Sequence, residues 1–220
     1  MSTAANRRKT TEVSARLVEM SGTELYLQEV SGALKRLPFV QIDRVADALW
    51  NAYQDNRVVY LFGNGGSAAL ASHCACDFGK GTVVNGYRRF RVLALTDNVP
   101  LMTAWANDAR YEDIFAEQLR SFLQPDDVAF AISGSGNSAN VLNALHAARE
   151  MGAFTIGLTG FQGGKMKSLC DLCVVVPSEN MQVIEDSHLS VTHSIFTSLR
   201  VRLGDLAPRQ SLASVGGRSS

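Results

Sequence analysis

Two small-residue turns constrain this chain more than any other feature. The first, Gly63-Asn64-Gly65-Gly66-Ser67, follows the apolar run Val58 to Phe62. The second, Ser133-Gly134-Ser135-Gly136-Asn137-Ser138, follows Val128 to Ile132. Each reads as the link between a strand and a helix. Such a link presents backbone N–H groups and hydroxyls at a helix N-terminus, where anions bind readily. Two of them in one chain point to a phosphorylated small molecule held at the strand ends. The G-x-x-x-x-G-K-[ST] pattern is absent, which argues against a P-loop NTPase, and neither turn carries the full dinucleotide fingerprint.

The pattern between and around the turns alternates. Leu25, Leu27, Val30, Leu34 and Leu37 predict a helix ending near Pro38. Ile42, Val45, Ala46, Leu49, Trp50 and Tyr53 form a second amphipathic stripe. Strands are expected over 58–62, 90–95, 127–132, 154–158 and 172–176. Helices are expected over 67–78, 111–122, 139–151, 166–169 and 185–203. Strands alternating with helices make an α/β domain with a parallel sheet, which binds ligands beyond the carboxyl ends of its strands. Both turns fall there, with Asp97 and Thr159.

Composition sets the outer bounds. The chain has 220 residues, 46% of them hydrophobic, enough for one domain with a buried core. The formal net charge is zero, which offers no electrostatic handle to nucleic acid or an anionic membrane. No apolar stretch reaches spanning length, and no signal-like core follows the basic N-terminus. We therefore expect a flexible lead-in over 1–18, one domain over 19–205, a disordered Ser/Gly-rich tail over 206–220, and a cytoplasmic location. The cysteines, Cys74, Cys76, Cys170 and Cys173, form a CxC and a CxxC. They read as small packing residues, with a metal or redox pair as the alternative.

Ionisable groups recur at helical spacing. His73 and Asp77 stand four apart and share a helix face. On the last helix Glu185 and His193 lie about 80° apart, while Asp186 and His193 align more closely. His188 falls on a different face from His193. Two helices thus each offer a carboxylate and an imidazole, either an acid/base pair or a His/carboxylate metal site. His146 and Glu150 read as a surface pair.

Together these residues resemble the SIS (sugar isomerase) domain family, and within it the phosphoheptose isomerases. The matching text is Gly63 to Ser67, His73, Asp77, Leu95-Thr96-Asp97, Ala106-Asn107-Asp108 and Ile132 to Val141. It continues through Leu158-Thr159-Gly160, Gly163 to Met166, Ile184 to His188 and His193. The resemblance implies a flavodoxin-like three-layer α/β/α sandwich with a five-stranded parallel sheet. It implies a homotetramer with sites at subunit interfaces, and conversion of sedoheptulose 7-phosphate to D-glycero-D-manno-heptose 7-phosphate. It puts Gly65, Gly66, Ser67, Ser133, Gly134, Ser135 and Ser138 around the phosphate, Asn64, Asp97 and Glu185 on the substrate, and Asp77 and His193 on the catalytic positions. It also makes His73, Asp77, Glu185 and His193 metal ligands, with zinc the implied ion and iron or manganese compatible.

This chain departs from the family pattern at three positions. Asp77 replaces a glutamate, Glu185 a common glutamine, and Gly134 a usual threonine. With a bound ion, Asp77 is not a fully free base. A second implication of the resemblance is a non-catalytic SIS tetramer of the replication-initiation regulator type, which keeps the glycine turn but lacks the histidine matching His193.

Overall fold

The structure is a computed structural model that describes residues 21–206. The expected lead-in over 1–18 lies outside them, as does the expected tail apart from residue 206. Two helices open the described chain, α1 (Gly22–Lys35) and α2 (Phe39–Gln54). Then come β1 (Val58–Gly63), α3 (Gly66–Cys76), β2 (Arg91–Ala94), α4 (Val99–Asp108), α5 (Ala116–Phe122) and β3 (Val128–Ile132). After these follow α6 (Ala139–Glu150), β4 (Phe154–Thr159), α7 (Met166–Leu169), β5 (Leu172–Val175) and the long α8 (Met181–Leu206).

The five strands form one sheet in the order β2-β1-β3-β4-β5, every pairing parallel. Alternation along each strand decides the layers, because neighbouring side chains point to opposite faces. Val59, Leu61, Phe130 and Ile132 pack with α2, α3 and α8 in one core. Tyr60, Phe62, Ala129 and Ala131 pack with α5, α6 and Met166 of α7 in the other. A sheet buried on both faces between helices is the expected α/β/α sandwich.

The strand order also places the site. From β1 the chain goes outward to β2, then returns to lay β3 on the other side of β1. The two sequence-distant turns therefore leave adjacent strand ends, with Gly63 paired to Ile132. That is the reversal point where open parallel sheets form a crevice.

Local differences from the sequence reading have physical causes. Helix α4 was not expected. It is capped by Asn98, whose side chain accepts from Leu101 N–H at 3.2 Å, but none of its residues is buried, so no apolar stripe marks it. The helix expected over 111–122 is broken: a short 3₁₀ turn covers Tyr111–Asp113, Ile114 and Phe115 dive into the core, and α5 begins at Ala116. The last helix starts at Met181, earlier than Glu185, because Asn180 accepts from Gln182 N–H at 3.2 Å. Helix α3 ends at Cys76 and continues as a π-helical turn, Asp77–Gly81.

Candidate active site

The first turn works through conformations and spaces that side chains would forbid. Gly65 has φ +56° and ψ −121°, a conformation open in practice to glycine alone. A Cβ on Gly66 would stand 2.8 Å from Glu185 Oε1, so the glycine makes room for the carboxylate from α8. The second turn is pinned differently. Gly134 O accepts from Gly160 N–H at 2.9 Å and from Thr159 Oγ1 at 3.2 Å. Ser133 and Ser138 hydroxyls face each other at 3.3 Å, and Asn137 N–H donates to Ser135 Oγ at 3.2 Å.

An amide pair ties the turns together. Asn64 Nδ2 donates to Asn140 Oδ1, and Asn140 Nδ2 to Asn64 Oδ1, each at 2.8 Å. Tyr111 also donates to Asn64 Oδ1 at 3.1 Å. Between them lies a cavity of about 270 Å³ lined by both turns, Met181 and Glu185. The helices that start here, α3 and α6, have no side-chain cap bond at either N-terminus. In α3 the Ser67 and Ala68 N–H groups already donate to Asn64 O and Gly65 O, each at 3.0 Å, so it is the first N–H groups of α6 that are available to an anion. Of the sequence-selected residues, Asn64, Gly65, Gly66, Ser67, Ser133, Gly134, Ser135, Ser138 and Glu185 all line this cavity. Asp97 does not. It is exposed and accepts from Ser72 Oγ across α3.

The space a side chain on Gly134 would take is filled by α8. A Cβ there would stand 2.5 Å from Met181 Sδ.

A second cavity, about 370 Å³, adjoins the first through Gly66, Ser67 and Glu185. His73 is on its wall. Here the ionisable groups converge: His73 Nε2 lies 2.9 Å from His193 Nε2, and Asp77 Oδ2 lies 3.3 Å from the former and 3.5 Å from the latter. The i,i+4 relation brings His73 to Asp77, and α8 packing on α3 brings His193. Glu185 is not part of this triangle. Asp186, which aligned with His193 on the helical wheel, accepts from Tyr26 of α1 at 2.5 Å instead.

The triangle fits a divalent cation. Ligands about 2.0–2.1 Å from a tetrahedral zinc are separated by roughly 3.3 Å, close to the three observed distances. Among the described residues this is the one His/Cys/Asp/Glu group with ligand spacing, and it holds no cysteine. Cys74, Cys76, Cys170 and Cys173 are free thiols, and burial pushes the Cys74 and Cys173 thiols up to about 11. His146 and Glu150 are exposed on α6.

Two elements clamp the cluster from behind. A Cβ on Gly81, at the end of the π-helical turn that begins with Asp77, would meet the Phe196 ring at 2.5 Å. Phe196 lies one turn beyond His193. Sequence reasoning missed this clamp because a π-helical turn is a hydrogen-bond register with no residue signature. It also gave no role to Met181 or His188. The spacing of Met181, Ile184 and His188 on one helix face was the available signal.

Comparison with known proteins fits this geometry. Residues 25–160 match the family model described as SIS domain. The phosphoheptose isomerase of Rhodospirillum rubrum is 46% identical over 135 residues, 61% of this chain and 71% of that protein. The phosphoheptose isomerase of Aneurinibacillus thermoaerophilus is 40% identical over 158 residues, 70% of this chain and 77% of that protein. Among solved structures, phosphoheptose isomerase from Neisseria gonorrhoeae superposes with a TM-score of 0.74 at 27% identity, covering 87% of this chain and 98% of that one.

Proposed function

Since the chain belongs to the SIS domain family and, within it, to the phosphoheptose isomerases, we propose that it interconverts sedoheptulose 7-phosphate and D-glycero-D-manno-heptose 7-phosphate. The observation that carries the reading is the adjacency of two uncapped helix N-termini to the His73, Asp77 and His193 triangle. One cavity suits a phosphate, and the groups beside it suit proton movement between neighbouring carbons.

The serine turn, the Ser67 hydroxyl and the first N–H groups of α6 hold the phosphate. This remote binding fixes the reacting carbons beside the cluster, where small misplacements are costly. Asp77 takes the proton from carbon, and His193 gives and removes the proton at oxygen. His73, Asp77 and His193 would hold a divalent ion, zinc by their donor set, with Glu185 beside them. When bound, such an ion polarises the sugar carbonyl and stabilises developing negative charge. Asp77 is then shared between ion and substrate. Glu185 sits against the first turn of α3, where the helix dipole favours a carboxylate, and adds negative charge next to the phosphate cavity.

The working unit is a homotetramer with sites at subunit interfaces. Support comes from apolar side chains left exposed on the single chain: Leu27 at 65%, Phe39 at 59%, Val40 at 70% and Val201 at 59%. The four free thiols accord with the cytoplasm. No helix among the described residues is long and apolar enough to cross a membrane.

The test is conversion of sedoheptulose 7-phosphate by purified protein of measured zinc content and oligomeric mass. Turnover that falls on chelation and returns with zinc supports the reading. A zinc-replete tetramer with no turnover would overturn it and favour the protein-binding alternative.

A further inference from the structure

Tyr111 reaches the phosphate cavity's wall from outside, and the mechanism above gives it no task. It opens the 3₁₀ turn Tyr111–Asp113, between α4 and α5. That turn is held on α6: Asn143 Nδ2 donates to Glu112 O at 3.1 Å and to Asp113 Oδ1 at 3.2 Å. Arg110 braces it from the other side, with Nη2 2.8 Å from Asp113 Oδ2. The Tyr111 side chain is not held by burial, since the residue is 55% exposed. Its fixed contact is polar, the hydroxyl donating to Asn64 Oδ1 at 3.1 Å.

Tyr111 completes the bonding of that oxygen. A primary amide has two lone pairs on oxygen and two N–H groups. Asn64 Oδ1 accepts from Asn140 Nδ2 at 2.8 Å and from Tyr111, so both lone pairs are taken. One N–H goes to Asn140 Oδ1 at 2.8 Å. What remains is a single N–H, on a residue that lines the phosphate cavity. Asn64 therefore has a donor to offer there and no acceptor. The reciprocal amide pair does not enforce this alone. Turning both amides over exchanges donor for acceptor and keeps both bonds. A phenol donates better than it accepts, because its oxygen lone pair is delocalised into the ring. The third bond thus breaks the tie.

We propose that Tyr111 is a positioning residue that fixes which way the Asn64 amide faces, so that its N–H and not its oxygen meets a phosphate oxygen of the ligand. The inference rests on the isomerase reading for its kinetic effect but not for its geometry. An amide turned over would aim a carbonyl oxygen at an anion and repel it. The same 3₁₀ turn is bonded to α6, whose first N–H groups face the phosphate cavity. It therefore straps the donor of the first turn to the donors of the second.

The experiment is a double-mutant cycle on Tyr111→Phe and Asn64→Ala, read by calorimetry with inorganic phosphate and by steady-state kinetics. Tyr111→Phe keeps the ring and loses the hydroxyl. It should weaken phosphate about fivefold and raise KM by a similar factor, with kcat changed less than about twofold. In the Asn64→Ala background the same substitution should change phosphate affinity less than about twofold. An equal effect in both backgrounds, or a loss confined to kcat, would overturn the proposal. If Asn64→Ala does not fold, NMR of the Asn64 side-chain amide decides. Inorganic phosphate should shift one of its two proton signals in the parent, and shift it less in Tyr111→Phe at saturation. Amide protons that ignore phosphate in the parent, or that respond identically in both proteins, would sink the proposal. A parent that shows the coupling and the amide shift but no turnover would instead overturn the isomerase reading.

Discussion

The two glycine turns look alike in sequence and differ in the folded protein. The first launches α3, the helix that delivers His73 and leads into Asp77. Its glycines Gly65 and Gly66 are exposed, and a Cβ on Gly65 would meet nothing within 4 Å. The second is walled in. A Cβ on Gly136, at φ +64°, would stand 2.3 Å from Gly163 O, and one on Gly164, at φ +54°, 2.5 Å from Ser135 O. The first turn uses Gly65 for backbone freedom, and Gly66 yields only to the side chain of Glu185. The other uses glycine so that two loops can be pressed together. On the proposed function, similar composition would serve reactivity on one side of the crevice and anchorage on the other.

That division can be broken most severely at the cluster. His193→Ala should lower turnover of sedoheptulose 7-phosphate by roughly 10²–10⁴ while leaving phosphate affinity nearly unchanged, read by steady-state kinetics and calorimetry with inorganic phosphate. A parallel loss of phosphate binding would erase the distinction. Next in size is the pair of glycine replacements. Gly136→Ala should destabilise by roughly 4 kcal/mol, since strain and a backbone clash add. Gly65→Ala should lose about 2 kcal/mol, from strain alone. Denaturant unfolding compares them, and equal losses would mean the two turns are equally confined. Smaller again is Ser133→Ala with Ser138→Ala, which should each weaken phosphate by about 1 kcal/mol, with kcat changed less than KM.

The remaining effect concerns pH. Burial pulls the His188 imidazole down to about 4 from its ordinary 6.5. The folded state therefore resists protonation more than the unfolded chain does. The resulting stability is full above pH 6.5 and is lost as pH falls through 4. Unfolding midpoints measured from pH 7 to pH 4 should decline less steeply in His188→Leu than in the parent.

Much of the architecture was legible because alternation and apolar runs report burial directly. Val58 to Phe62 and Val128 to Ile132 read as buried strands, and the turns after them as helix openings. The convergence of His73 with Asp77 followed from helical spacing. What failed to show has a common cause: it depends on contacts between elements. Helix α4 buries none of its residues, so periodicity had nothing to register. Asp186 aligned with His193 on the wheel, yet α1 captures it through Tyr26. The exclusion of Glu185 from the triangle is set by how α8 leans on Gly66, which no local pattern encodes.

The clasp of Phe196 in the notch at Gly81 reaches furthest from its own position. It acts as a doorstop for the two segments that carry the triangle, one beginning at Asp77 and the other bearing His193. A bulkier residue wedged there would prise those segments apart and silence the protein without altering any atom that meets the sugar. Tolerance to size at residue 81 is therefore a remote gauge of how closely carboxylate and imidazole must be held.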